Sequence, residues 1–134
     1  MALNGNNKKF KNRDFRSSLD FAYTGIKTVF REERNMRKHL ASAIAAVIFG
    51  FLFRLNRYEW LWLIAAIFLV MIMETFNTVA ENIVDLITDY HFHPLAKIAK
   101  DMAAGAVLMT SIFAGIVGLI LFLPKIVDLV MKFF

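Results

Sequence analysis

This chain of 134 residues contains no cysteine, which excludes disulfides and thiolate metal sites and leaves the redox compartment open. It has no G-x-x-x-x-G-K-S/T loop and no G-x-G-x-x-G turn, so the common backbone cradles for nucleotide phosphates are missing. It has no G-x-S-x-G elbow and no H-E-x-x-H pair, which sets aside nucleophile-elbow hydrolases and zinc proteases. The first residues, M-A-L-N-G-N-N-K-K-F-K-N-R, carry no apolar stretch, so no cleaved secretory leader is expected. Charge is also missing from most of the chain. The net charge is +5, yet ten of the sixteen Lys and Arg residues precede His39.

Hydrocarbon fills the uncharged remainder. Hydrophobic residues make up 58% of the chain and the mean hydropathy is +0.53, values of the membrane class. The length suits one domain. Residues 1–13 read as a disordered basic arm. Beside so much membrane-seeking sequence, that arm is an anchor for anionic lipid and a cytoplasmic retention signal, not a nucleic-acid contact. Residues 14–134 then form a single membrane-embedded domain. From residue 14 to 32, Phe15, Leu19, Ala22, Ile26, Val29 and Phe30 recur at helical spacing, with Arg16, Asp20, Lys27 and Arg31 opposite. Such a helix lies in the plane of the membrane interface.

Residues 31–39 are dense in charge just before an apolar run. Glu32 and Glu33 do not suit a juxtamembrane anchor, because anionic head groups repel carboxylates. Glu33 is a candidate site residue on that ground. Three spans are expected, at about 36–55, 58–87 and 98–123. The first reaches full length only with Arg37, Lys38 and Arg54 snorkelling at its ends. Trp60 and Trp62 sit where an aromatic belt belongs. Residues 54–59 form a polar turn, and Pro94 opens the third helix.

No charged residue lies between Trp60 and Met73. Then come Glu74, Asn77, Glu81 and Asp85, at offsets that place them within about 80° of one helix face. Ionisable groups inside a span are expensive, so they face a protein interior or a wet cavity and mark a site. An ordinary packing network between helices is the plainer alternative. Counting from Trp60, Glu74 lies about 21 Å along the helix, while Glu81 and Asp85 lie at about 32 and 38 Å. The hydrocarbon core is about 30 Å thick, so the stripe climbs from acyl depth to water. Lys100 and Asp101 stand at the mouth of the third span, on the same side. His91 and His93 on the preceding loop are a weak metal signal. Positive-inside counting puts the N-terminus and the 88–100 loop in the cytoplasm. Three short spans make a thin core, so an oligomer is expected.

Carboxylates and an amide oxygen suit Mg²⁺. With lysine beside them they suit phosphates, and phosphoryl transfer needs mainly positioning and charge neutralisation. A carboxylate withdrawn from water holds a proton more readily, as a general base must. Glu74 is the one acid at that depth. The residues therefore point to phosphoryl transfer onto an acceptor resident in the membrane.

The chain resembles the prokaryotic diacylglycerol kinase family, and within it the undecaprenol kinase branch, over roughly residues 15–123. The family pattern E-x-x-N-x-x-x-E-x-x-x-D is met by Glu74, Asn77, Glu81 and Asp85, and its A-K-D by Ala99, Lys100 and Asp101. Its membrane-proximal glutamate is met by Glu33, with Met36 and Arg37 following. The resemblance implies an all-α homotrimer of three-span subunits with an N-terminal surface helix, and active sites shared between subunits. It implies Mg-ATP as phosphoryl donor and a lipid alcohol as acceptor. Glu74 then resembles the catalytic base, and Glu33 and Glu81 the metal ligands. Asn77, Lys100 and Asp101 resemble residues placing the nucleotide, with an N-terminal arginine contact at Arg13 or Arg16, here assigned to Arg16. Where the diacylglycerol-specific enzymes carry a second acid, this chain has His39, a departure toward undecaprenol as acceptor. Diacylglycerol is the alternative acceptor. A proton- or cation-coupled transporter is the alternative of a different class. It would need a polar path across the membrane, and the outer halves of the spans offer none.

Overall fold

A computed structural model describes residues 15–132, and the basic arm at 1–13 lies outside them. Among the described residues the chain is wholly helical: α1 Phe15–Glu32, α2 Arg34–Leu52, α3 Arg57–Thr88 and α4 Pro94–Met131. α3 and α4 lie together along much of their length, α2 packs on α3, and α1 meets α2. The bounds of α1, α2 and α3 fall close to the segments expected at 14–32, 36–55 and 58–87. α4 begins at Pro94, as expected, but continues beyond residue 123, through Pro124, to Met131.

α1 buries only Val29. Phe15, Leu19, Phe21 and Ile26 stay exposed, as an interfacial helix leaves its apolar face for lipid. The chain breaks at Glu33, whose extended backbone (φ −87°, ψ 118°) makes it the N-cap of α2. α3 and α4 are each long and apolar enough to cross a membrane. At 1.5 Å per residue they run about 48 and 57 Å, more than a hydrocarbon core of about 30 Å. α2 does not reach that standard by itself, because Arg34, Arg37 and Lys38 occupy its start.

The end of the bundle at the α2–α3 turn is tied by local chemistry. α2 closes with Leu55 N–H on the Gly50 carbonyl (3.0 Å) and Arg54 N–H on that of Phe51 (3.1 Å). Arg54 is left-handed at φ 51°, so the turn is a Schellman motif with an arginine where glycine is usual. Asn56 then caps α3: its Oδ1 accepts from the Tyr58 and Glu59 amides, and Glu59 Oε2 accepts from the Asn56 amide at 2.7 Å. The other Glu59 oxygen meets Lys125 Nζ at 2.9 Å. One carboxylate thus completes a capping box and pins α4 to the start of α3. Beneath it lies the core of Leu55, Leu63, Ala66, Val117 and Leu121, flanked by Trp60 and Phe122.

Gly50 is required by that packing. A Cβ there would stand 2.8 Å from the Trp60 ring and 3.3 Å from Leu55. The ring also rests against Phe51, centroids 4.8 Å apart, and has little room to retreat. Replacing a helical glycine by alanine gains about 1 kcal/mol of propensity, but overpacking costs about 1–3 kcal/mol. Gly50→Ala is therefore expected to destabilise the protein by about 1 kcal/mol net. A raised unfolding midpoint in detergent would contradict this packing.

Candidate active site

The polar stripe of α3 faces the protein, not the lipid. Glu74 is only 2% exposed and Asn77 only 8%, while Glu81 and Asp85 are half-buried. Exposure rises toward the C-terminal end of α3, the gradient expected of a stripe that climbs toward water. Thr78 is buried among these groups and donates to the Glu74 carbonyl at 3.0 Å, so its hydroxyl is satisfied within the helix.

Glu33, on the cap of α2, and Glu81, two turns along α3, both act electrostatically on Glu74. The Glu33 side chain does not close its own helix cap, so that carboxylate is not committed to helix ends. Asn77 Nδ2 donates to Glu81 Oε1 at 3.0 Å and orients it. The Asn77 carbonyl oxygen is buried with no partner among the described residues. A buried acceptor left bare costs about 1–3 kcal/mol, so a ligand donor or cation placed there would be stabilised. Among the described residues no three acid or histidine side chains are grouped as a protein-only metal cage requires.

Lys100 Nζ reaches from α4 to Asp85 Oδ1 on α3 at 2.5 Å. Asp101 does not join the stripe; it pairs with Lys97 one turn earlier on α4. These four residues line a hollow of about 460 Å³ beneath the loop that carries Tyr90, His91 and His93. That loop leaves α3 through two consecutive left-handed residues, Asp89 (φ 48°) and Tyr90 (φ 60°). His93 accepts from the Leu95 amide and caps α4, with Pro94 in the first helical turn. Arg16 is exposed on α1 and makes no ion pair or side-chain hydrogen bond among the described residues. Arg13 lies outside them.

One neighbour of Glu74 was not singled out as a site residue from the sequence. His39 Nε2 lies 4.0 Å from Glu74 Oε2. It stands at an apolar cavity of about 310 Å³ bounded by α2, α3 and α4, with Ser42 and Ser111 among its few polar walls. The signal was present: Met36, His39, Ala43, Ala46 and Gly50 recur at helical spacing, and all five are buried or half-buried.

This arrangement offers a sealed proton acceptor, oxygen donors of graded exposure and a lysine at the polar end. A family model described as prokaryotic diacylglycerol kinase matches residues 20–122.

The chain belongs to the prokaryotic diacylglycerol kinase family.

It is similar to the undecaprenol kinase of Bacillus subtilis (strain 168), with 47% identity over 115 residues, 86% of this chain and 92% of that protein. A diacylglycerol kinase of Synechocystis is 41% identical, covering 84% of this chain and 64% of the relative. That of Escherichia coli K12 is 31% identical, covering 75% and 82%. As a member of the prokaryotic diacylglycerol kinase family, the chain is a lipid kinase of the membrane. A nucleotide phosphate donor and a divalent metal go with that chemistry. Membership also disposes of the transporter alternative.

The Lys100–Asp85 pair tests whether this end of the site is held by strong forces. Its side chains are 36% and 27% exposed, and pairs open to water contribute about 0.2–1 kcal/mol. Asp85→Asn should therefore lower stability by less than about 1 kcal/mol, measured by chemical unfolding in detergent. A much larger loss would mean that the pair is a structural staple, not a lysine held in reserve.

Proposed function

We propose that this lipid kinase transfers the γ-phosphoryl group of Mg-ATP to undecaprenol, giving undecaprenyl phosphate. The observation that carries the mechanism is Glu74: a carboxylate 2% exposed, midway along a helix long enough to cross a membrane. The acceptor is supported by the 47% identity to a protein named undecaprenol kinase. It is also supported by His39 where an acid stands in the diacylglycerol-specific enzymes.

In this reading Glu74 is the general base. The lipid hydroxyl approaches from the acyl region and gives its proton to the Glu74 carboxylate. Its oxygen bonds to the γ-phosphorus as the bond to the bridging oxygen breaks and ADP departs. Glu33 and Glu81 hold the divalent ion. Two carboxylates plus substrate phosphates satisfy Mg²⁺ without a protein-only cage, and the bare oxygen of Asn77 fits such a hard-oxygen set. The ion supplies charge neutralisation on the phosphates when bound. Asn77 fixes Glu81 in place. Lys100 leaves Asp85 for the phosphates, Asp101 bounds the nucleotide hollow, and Arg16 contacts nucleotide from α1.

The assembly belongs to the same proposal. α2 is the third span, completed by Arg37 and Lys38 snorkelling to the interface. The domain then runs from residue 14 to 134 as one membrane-embedded unit. The N-terminus and the site face the cytoplasm, in accord with the basic excess before His39. Three chains associate as a homotrimer with shared sites, which fits the thinness of the core within one chain.

Purified protein with labelled ATP, Mg²⁺ and either undecaprenol or diacylglycerol decides the acceptor. Phosphate should appear on undecaprenol, and a strong preference for diacylglycerol would reverse the choice. Glu74→Gln should reduce turnover by about a hundredfold or more while nucleotide still binds; normal kcat would exclude Glu74 as base. Glu81→Gln should raise the Mg²⁺ concentration needed for half-maximal rate, and an unaltered Mg²⁺ dependence would remove its ligand role.

A further inference from the structure

A base that is sealed from water must be able to release the proton it takes. The Glu74 side chain is 3% exposed, and His39 beside it is 26% exposed. The Nε2–Oε2 separation of 4.0 Å exceeds a hydrogen bond by about 1 Å, a gap that a small rotation or one bridging water closes. His39 also lies on the wall of the apolar cavity, so it joins the buried acid to a less enclosed position. The neighbouring cations of α2 are occupied elsewhere: Arg37 donates to the Arg31 carbonyl and Lys38 to Asn35. The charged groups acting on Glu74 are His39 and Glu33 from the α2 side and Glu81 from α3. α4 meets the cavity with Ser111, Ala114 and two glycines, none of which titrates. Imidazole changes charge near neutral pH and can both accept and release a proton there.

We propose that His39 is a positioning residue that receives the proton from Glu74 after each transfer and passes it to water, a role that rests on the reading of Glu74 as base. During transfer the lipid O–H bond breaks and its proton is bound by Glu74. In the reset, the Glu74 O–H bond breaks and an N–H bond forms at His39 Nε2. The imidazolium then gives a proton to water, and both groups return to their starting state with nothing consumed.

The reset lies after the first chemical step, and this separates a relay from a structural role. Full-length wild type, His39→Gln and His39→Ala are compared in lipid nanodiscs with Mg-ATP and the preferred lipid alcohol. His39→Gln should complete a first turnover at near wild-type rate, seen as a burst of one lipid phosphate per site. Its steady-state kcat should fall about ten- to a hundredfold, with KM for ATP little altered. Imidazole should restore the steady-state rate of His39→Ala, and pyrazole, of the same shape but far less basic, should not. The relay is overturned if His39→Gln keeps kcat within about twofold of wild type from about pH 6 to 9. It is equally overturned if burst and steady state fall together, or if pyrazole rescues as well as imidazole. An inactive wild type with both lipids would instead remove the kinase reading on which the relay rests.

Discussion

A carboxylate cannot be left among acyl chains, and this architecture is arranged around that constraint. Glu74 follows a run of α3 that carries no charge from Trp60 onward. Turned to lipid, it would cost several kcal/mol. Turned inward it meets His39 of α2 and stays 2% exposed. That single orientation sets the rotation of α3. Asn77, Glu81 and Asp85 follow on the same face because the helix period leaves them no other. Leu63, Ala66 and Val70, on the inward side of the preceding turns, are buried with them.

The two ends of the bundle solve different problems. The end at the α2–α3 turn is closed by backbone and side-chain bonds that saturate one another: a Schellman turn, a capping box, and an ion pair from the same glutamate to α4. Asn56, Glu59 and Lys125 all have a structural use there. At the other end polar capacity is left over. The Asn77 side-chain oxygen has no partner among the described residues, Glu33 does not cap its helix, and Lys100 rests on a half-buried aspartate. Unused capacity of this kind suits a surface that must receive phosphates and a cation, then release them. The contrast is chemical and independent of family membership.

A member of this family faces a transport problem in miniature. The acceptor hydroxyl comes from oil and the phosphoryl donor from water, and the proton displaced must move between them. In the proposed mechanism, seclusion keeps water from the carboxylate that takes the proton and hinders that proton's return. In the proposed relay, a histidine on the neighbouring helix, more open than the acid it faces, would answer both demands without a continuous polar channel through the membrane.

The helices and their order were legible because charge is so sparse that each apolar run is bounded by it, and because Asn56, Pro94 and the 54–59 turn punctuate the runs. The stripe was legible because period and composition agree at Glu74, Asn77, Glu81 and Asp85. Tertiary structure alone decided what crosses between helices. It put His39 against Glu74, and Lys100 on Asp85 while Asp101 turned to Lys97. It also left the Asn77 oxygen bare and pressed Gly50 against Trp60. These pairings depend on how helices rotate and slide against each other. A residue's own helix dictates its face, but the partner on that face is set by packing between segments distant in the chain.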